Sequence, residues 1–423
     1  MTWQFGLRYG LMGLPLAFVA LPLYVVLPNF YAKELGVSLT SLGAILLLTR
    51  LLDALIDPFV GRWSDRLYQQ SAAAVLRFGA LACVLLGLGF SFLFMPLVQS
   101  PERLLIWCSF FLMLTYAAFS AVTVAHQSWG ALLGGGDKQQ GFIVAWREGL
   151  GLLGVVLASI APALWGMPVT AGLFWMALLL GWLAWQQSAR PQMQGNQPGT
   201  LATGALWLPF RRSAFRRLLG VFVLNGIASA VPATLVLFFI QDRLLASKAM
   251  EPVFLGTFFL SAALSMPLWL KAVARMGLAQ AWLLGMLLSV LVFVWASQLQ
   301  AGDVIPFLVI CLLSGLALGA DLALPGAMLA RVIARAGDLG LAQGAYFGWW
   351  NFATKLNLAV AAGVALPVLG LFGYVAGAKD PKALFALTVA YCVLPCILKC
   401  LAALSLYLLV IRPARSQETD ETS

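Results

Sequence analysis

The stretch LLTRLLDALIDPFVGRWSDR, residues 47–66, sets Asp53 and Asp57 one helical turn apart, with Arg50 one turn earlier on the same face. The surrounding residues are apolar enough to lie in a bilayer, where an ionised side chain costs about 2.5 kcal/mol or more at the midplane. Two neighbouring carboxylates repel, and one stays protonated unless a cation sits between them. The pair therefore reads as a site for a monovalent cation or a proton. Farther on, Arg62, Asp65 and Arg66 fall in a turn at the water interface and read as a gate that locks helix ends together.

Other ionisable residues interrupt apolar runs. Lys355 follows YFGWWNFAT, so Tyr346, Trp349, Trp350, Asn351 and Thr354 crowd the turns before it. Aromatic and hydrogen-bonding groups beside a buried charge suit a polar, ring-bearing solute. Arg147 is a candidate for an anionic group, and the adjacent Glu148 is expected to point about 100° away from it. In TVAHQSWGALLGGGDK, Gln127 and Trp129 are candidate cavity residues. His126, the single histidine, is a candidate for proton coupling or for packing. Asp321, one turn before Pro325, is expected to pair with Lys355 or Arg331 as a structural lock.

These residues do not assemble an enzyme. There is no phosphate-binding glycine loop, no histidine cluster for a metal and no nucleophile with a histidine partner. Cys392, Cys396 and Cys400 share a helix face, but no histidine or carboxylate joins them, and they read as small apolar side chains. No cofactor is called for beyond a coupling ion, Na⁺ or H⁺, and energy must come from an ion gradient.

The elements that hold these residues are membrane helices. The 423-residue chain is 62% hydrophobic and 10% charged, against about 25% charged in soluble domains. Apolar windows of about 20 residues, enough to cross the hydrocarbon, recur along its length. Twelve spans are expected near 10–31, 40–60, 73–98, 103–130, 141–164, 168–188, 218–240, 252–273, 278–298, 304–333, 342–372 and 383–411.

The fold class is thus all-α integral membrane, with twelve transmembrane helices in two six-helix, pseudo-symmetric halves. The halves are 1–188 and 218–411, joined by a cytoplasmic linker at 189–217 and followed by a tail at 412–423. The linker's LWLPF and its Arg211, Arg212, Arg216 and Arg217 suit the headgroup region of membrane lipids.

Lys and Arg concentrate in the even-numbered connections and both ends, which places both termini in the cytoplasm of a multi-pass protein of the inner cell membrane. The same asymmetry accounts for the net charge of +10 without nucleic acid as a partner. A repeat supports the two halves: Pro58, Arg62 and Arg66 recur in spacing as Pro267, Lys271 and Arg275, 209 residues later. Arg147 and Lys355 stand 208 residues apart. Parallel six-span repeats with a site between them are a transporter architecture.

YAKELGVSLTSLGAILLLTRLLDALIDPFVGRWSDR resembles the second-helix signature of the glycoside-pentoside-hexuronide:cation symporters, the melibiose-permease branch of the major facilitator superfamily. WNFATKLNLAVAAGVALPVLGLFGY resembles their eleventh helix. The resemblance implies cation coordination at Asp53 and Asp57, a functional lysine at Lys355, and sugar contacts near Trp129 and Arg147. It departs at Ala17 and Ala125, where the family carries acids, and at Arg331 and Ala334 after the tenth helix. The sodium-dependent lysophospholipid carriers look similar at the paired aspartates.

Together these readings predict a cation-coupled symporter of a small organic solute, a sugar or glycoside, working as a monomer by alternating access. Asp53 and Asp57 would bind the cation. Arg147, Trp129, Gln127, Tyr346, Trp350, Asn351 and Lys355 would face the solute. Arg50, Arg62, Asp65, Arg66, Lys271, Arg275 and Asp321 would serve as gating or structural charges. The rival readings are a lysolipid carrier of the same fold and a non-transporting receptor or scaffold, against which the short loops argue.

Overall fold

The structure is a computed structural model and describes residues 2–191, 205–371, 373, 374, 377 and 379–413. The middle of the expected linker, 192–204, and the tail from 414, with Arg415, lie outside the described residues. Among the described residues, eight helices are long and apolar enough to cross a membrane, or nine if the bent pair Trp3–Gly10 and Gly13–Leu21 is one span.

The Lys248–Gln298 helix is two passes joined at Gly277, and the long helices Leu39–Gln70 and Gln343–Leu371 supply two more. Counted so, the twelve expected spans each coincide with a helical pass.

Two connections are made by one residue apiece. Gly166 (φ 75°) interrupts Asp137–Gln186 and Gly277 (φ 80°) interrupts Glu251–Phe293. Both adopt the left-handed conformation that side chains with a Cβ resist. Beyond the first break the Thr170 hydroxyl donates to the Gly166 carbonyl one turn back, 2.8 Å.

The chain forms two compact units. The first is Met1–Arg211 with Ile333–Phe352, and the second is Arg212–Val332 with Ala353–Ser423. The start of the eleventh span thus packs with the first unit. In the first unit, Tyr9 on the opening helix and His126 on the fourth span interlock. Their rings stack at 4.3 Å, the Tyr9 hydroxyl donates to the His126 carbonyl at 3.0 Å, and His126 Nε2 lies 2.9 Å from the Tyr9 carbonyl. The second unit has its own aromatic core, in which Phe239 stacks on Tyr391 at 4.2 Å and Phe254 meets Phe307 edge-on.

Candidate functional site

In the first unit the second span presents Asp53 and Asp57 inward, 3% and 0% exposed. Their i, i+4 spacing carries both to the face that packs on the fourth span, Pro101–Leu132. From that span the Ser120 hydroxyl donates to Asp53 Oδ1 at 3.2 Å. Two turns farther along the same helix, Gln127 Oε1 accepts a bond from Asn351 Nδ2 at 2.9 Å. Ser120 and Gln127 are seven residues apart and share a helix face. A polar strip therefore runs from the paired acids through Ser120 to Gln127 and Asn351. Arg50 is exposed, so it does not share the burial of the two acids, although the helical period puts it on their side.

Asp65, fully buried, sits at the other end of the second span. It accepts bonds from the backbone N–H groups of Gly344 (2.6 Å) and Ala345 (3.0 Å), at the start of the Gln343–Leu371 helix. This carboxylate satisfies two donors that every helix start leaves open, and its negative charge complements the positive end of the helix dipole. The approach depends on Gly61 and Gly344. A Cβ built on Gly61 would lie 2.1 Å from the Gly344 carbonyl oxygen, and one on Gly344 would lie 2.2 Å from that of Gly61. The expected gate is thus a carboxylate-to-helix latch. Arg62 is half-buried and Arg66 exposed beside it. In the second unit Lys271 and Arg275, which repeat the basic spacing, are exposed.

The remaining sequence candidates are distributed between packing and polar roles. Trp129 is completely buried; its indole N–H donates to the Ala189 carbonyl at 3.0 Å and its ring meets Tyr68 and Trp185. The Tyr346 hydroxyl donates to Asp338 at 2.6 Å, and Trp350 is buried. Trp349 donates to the Leu206 carbonyl at 2.9 Å and packs against the tilted ring of Trp207 and edge-on against Phe210, so the linker's LWLPF anchors on the eleventh span.

Arg147 pairs with Glu148 through Nε, 3.0 Å, and through Nη2. The expectation that neighbours on a helix do not pair fails here because the long arginine side chain folds back across the 100° between them. Lys355 is half-buried and belongs to the second unit.

Asp321 is corrected more sharply. Its partner is neither Lys355 nor Arg331 but Lys399 on the Pro381–Ile411 span, 2.6 Å away. Lys399 was legible in principle. Once every other Lys and Arg is assigned to a connection or a named site, it remains inside an apolar span, between Cys396 and Cys400. Among the described residues no group of His, Cys, Asp and Glu side chains could hold a metal ion.

The geometry is that of an all-helical membrane protein with buried charged side chains on its second, tenth and twelfth spans, and comparison with known proteins agrees. A family model described as MFS/sugar transport protein matches residues 8–412. No curated protein matches in sequence.

Among solved structures, the chain is similar to a bacterial homologue of the iron transporter ferroportin in an outward-facing state. The TM-score is 0.71 at 15% identity, over 96% of this chain and 99% of that one. It is also similar to the E. coli fucose:proton symporter, with a TM-score of 0.65 at 13% identity, over 94% and 98% of the two chains. At such identities the likeness is one of fold. Both the family and these neighbours are transporters rather than enzymes, and the match over nearly the whole chain means that this protein belongs to the MFS/sugar transport protein family of the major facilitator superfamily.

Proposed function

We propose that this secondary transporter carries a small organic solute, a sugar or glycoside, together with one kind of monovalent cation, Na⁺ or H⁺. The carrying observation is the burial of Asp53 and Asp57 one turn apart at membrane depth, with the Ser120 hydroxyl on Asp53. Positive charge between the two acids lowers their repulsion and favours the packed arrangement of the second and fourth spans.

The polar strip through Gln127 and Asn351 is the adjoining place for solute hydroxyls, so cation and solute stabilise the same conformer and are released together. The Asp65 latch holds one end closed while this happens and opens when the conformer changes. Both termini lie in the cytoplasm and the transporter works as a monomer in the inner membrane.

The test is gradient-driven uptake in proteoliposomes. Asp53→Cys is expected to abolish the dependence on the cation gradient, and undiminished uptake would sink the proposal. A panel of sugars, organic acids and lysolipids, with and without Na⁺, assigns the solute through thermal stabilisation. A solute at about 100 times its Kd stabilises by about 2.7 kcal/mol. Stabilisation by lysolipids alone would replace the sugar reading with a lipid carrier.

A further inference from the structure

The second unit contains a charged centre that the transport cycle described above does not use. Asp321 Oδ1 accepts bonds from Asn225 Nδ2 at 3.2 Å and Trp282 Nε1 at 2.9 Å. Its Oδ2 accepts from Lys399 Nζ at 2.6 Å, and the same ammonium donates to Ser229 Oγ at 3.0 Å. The Asp321 and Lys399 side chains are 9% and 8% exposed.

Four spans meet here: the seventh with Asn225 and Ser229, the ninth with Trp282, the tenth with Asp321 and the twelfth with Lys399. Among the described acids of this unit, Asp242, Glu251, Asp303 and Asp380 sit at helix ends or connections, and Asp321 alone lies deep within a span. A lone carboxylate at that depth must find positive charge or take up a proton.

Here the positive charge comes from the chain itself. The surroundings would suit a free ion equally well. A carboxylate, a hydroxyl and an amide carbonyl are the oxygen donors that hard cations take. Asn225 offers such a carbonyl, since its Oδ1 is buried without a hydrogen-bond partner.

We propose that Lys399 is a built-in cation: its ammonium fills on Asp321 the place of an external monovalent ion, so the second unit loads none and the transporter takes a single cation per cycle. The stoichiometry rests on the Asp53 and Asp57 reading above, whereas the assignment at Asp321 does not. Removing the Lys399 charge should therefore create a second ion-dependent site that the native protein lacks. The charged or titratable groups around it are Lys399 itself, with Cys396 and Cys400 flanking it on the twelfth span. Among the described residues, the groups of the seventh and ninth spans that bond to Asp321 or Lys399 are the neutral Asn225, Ser229 and Trp282.

The experiment is thermal unfolding of the full-length protein in nanodiscs, in choline buffer, in sodium buffer and at about pH 5. Lys399→Ala is expected to unfold about 5 °C or more below wild type in choline. Sodium or acid should recover most of that loss. The double variant Lys399→Ala/Asp321→Asn should be more stable than the single one and should not respond to either ion. Adding Asp53→Asn to Lys399→Ala should leave the new response in place, which separates this centre from the first-unit site.

The assignment is overturned if Lys399→Ala matches wild type, if its loss ignores both sodium and acid, or if Asp321→Asn does not remove the response. Should Lys399→Ala not fold, the assignment requires that Lys399→Arg and the double variant both do, and it falls if either fails. In uptake by the wild type, a Hill coefficient near one for the coupling ion supports the single-cation stoichiometry, and a value of two or more refutes it.

Discussion

Asp65→Asn isolates the latch. The substitution keeps the side-chain shape but removes the charge that two backbone N–H groups share, at 2.6 and 3.0 Å. Hydrogen bonds to a charged acceptor contribute about 1.5 kcal/mol or more each. The asparagine oxygen still accepts one of them, and its NH₂ faces the other donor. Losing that second bond and leaving its buried N–H unsatisfied costs about 3 kcal/mol, offset by about 1 kcal/mol because a neutral amide is easier to bury than a carboxylate.

A net change of about 2 kcal/mol corresponds to about a 30-fold rise in the open population of the latch. Amide hydrogen exchange reads this population directly at Gly344 and Ala345, since exchange there requires the bonds to break. The rates at these two amides should rise about 30-fold while those in the second unit, around Asp321 for example, stay within experimental error. Unchanged exchange at Gly344 and Ala345 would refute the view that the Asp65 charge holds the latch. A rise of equal size throughout the protein would refute it too, by showing general destabilisation.

Three further outcomes follow from the same geometry. Gly344→Ala places a Cβ 2.2 Å from the Gly61 carbonyl oxygen, so the helix start must withdraw. Its exchange should resemble that of Asp65→Asn, and combining the two should add little, since both open one contact. Tyr9→Phe removes the 3.0 Å bond to the His126 carbonyl but keeps the ring stack, and should cost about 1 kcal/mol, measured as a fall of a few degrees in Tm, with uptake retained. His126→Gln should leave the pH profile of uptake unchanged, because the histidine ring is committed to Tyr9; a shifted profile would restore it as a coupling residue.

Legibility followed the reach of each signal. The spans were readable because crossing a bilayer demands about 20 apolar residues with internally satisfied backbone, and nothing in tertiary packing can waive that. Asp53 and Asp57 were readable because their partnership is along one helix. Ser120 was not, since an isolated serine in an apolar helix gives no sign that it faces Asp53 across 67 positions of sequence. Trp129 read as a cavity residue from its type and neighbours, but an indole can equally well cap a carbonyl inside a bundle, as it does at Ala189.

The sequence by itself determined the membrane class, the paired-acid face and the basic spacing shared by Arg62, Arg66, Lys271 and Arg275, all of which depend on composition or on a period within one helix. Only the tertiary structure decided which charge meets which partner. Asp65 found Gly344 and Ala345 nearly 280 residues away, and Asp321 found Lys399 rather than either predicted base. Helical period fixes the direction in which a side chain points, but its neighbour there depends on which spans pack together and how closely their backbones approach.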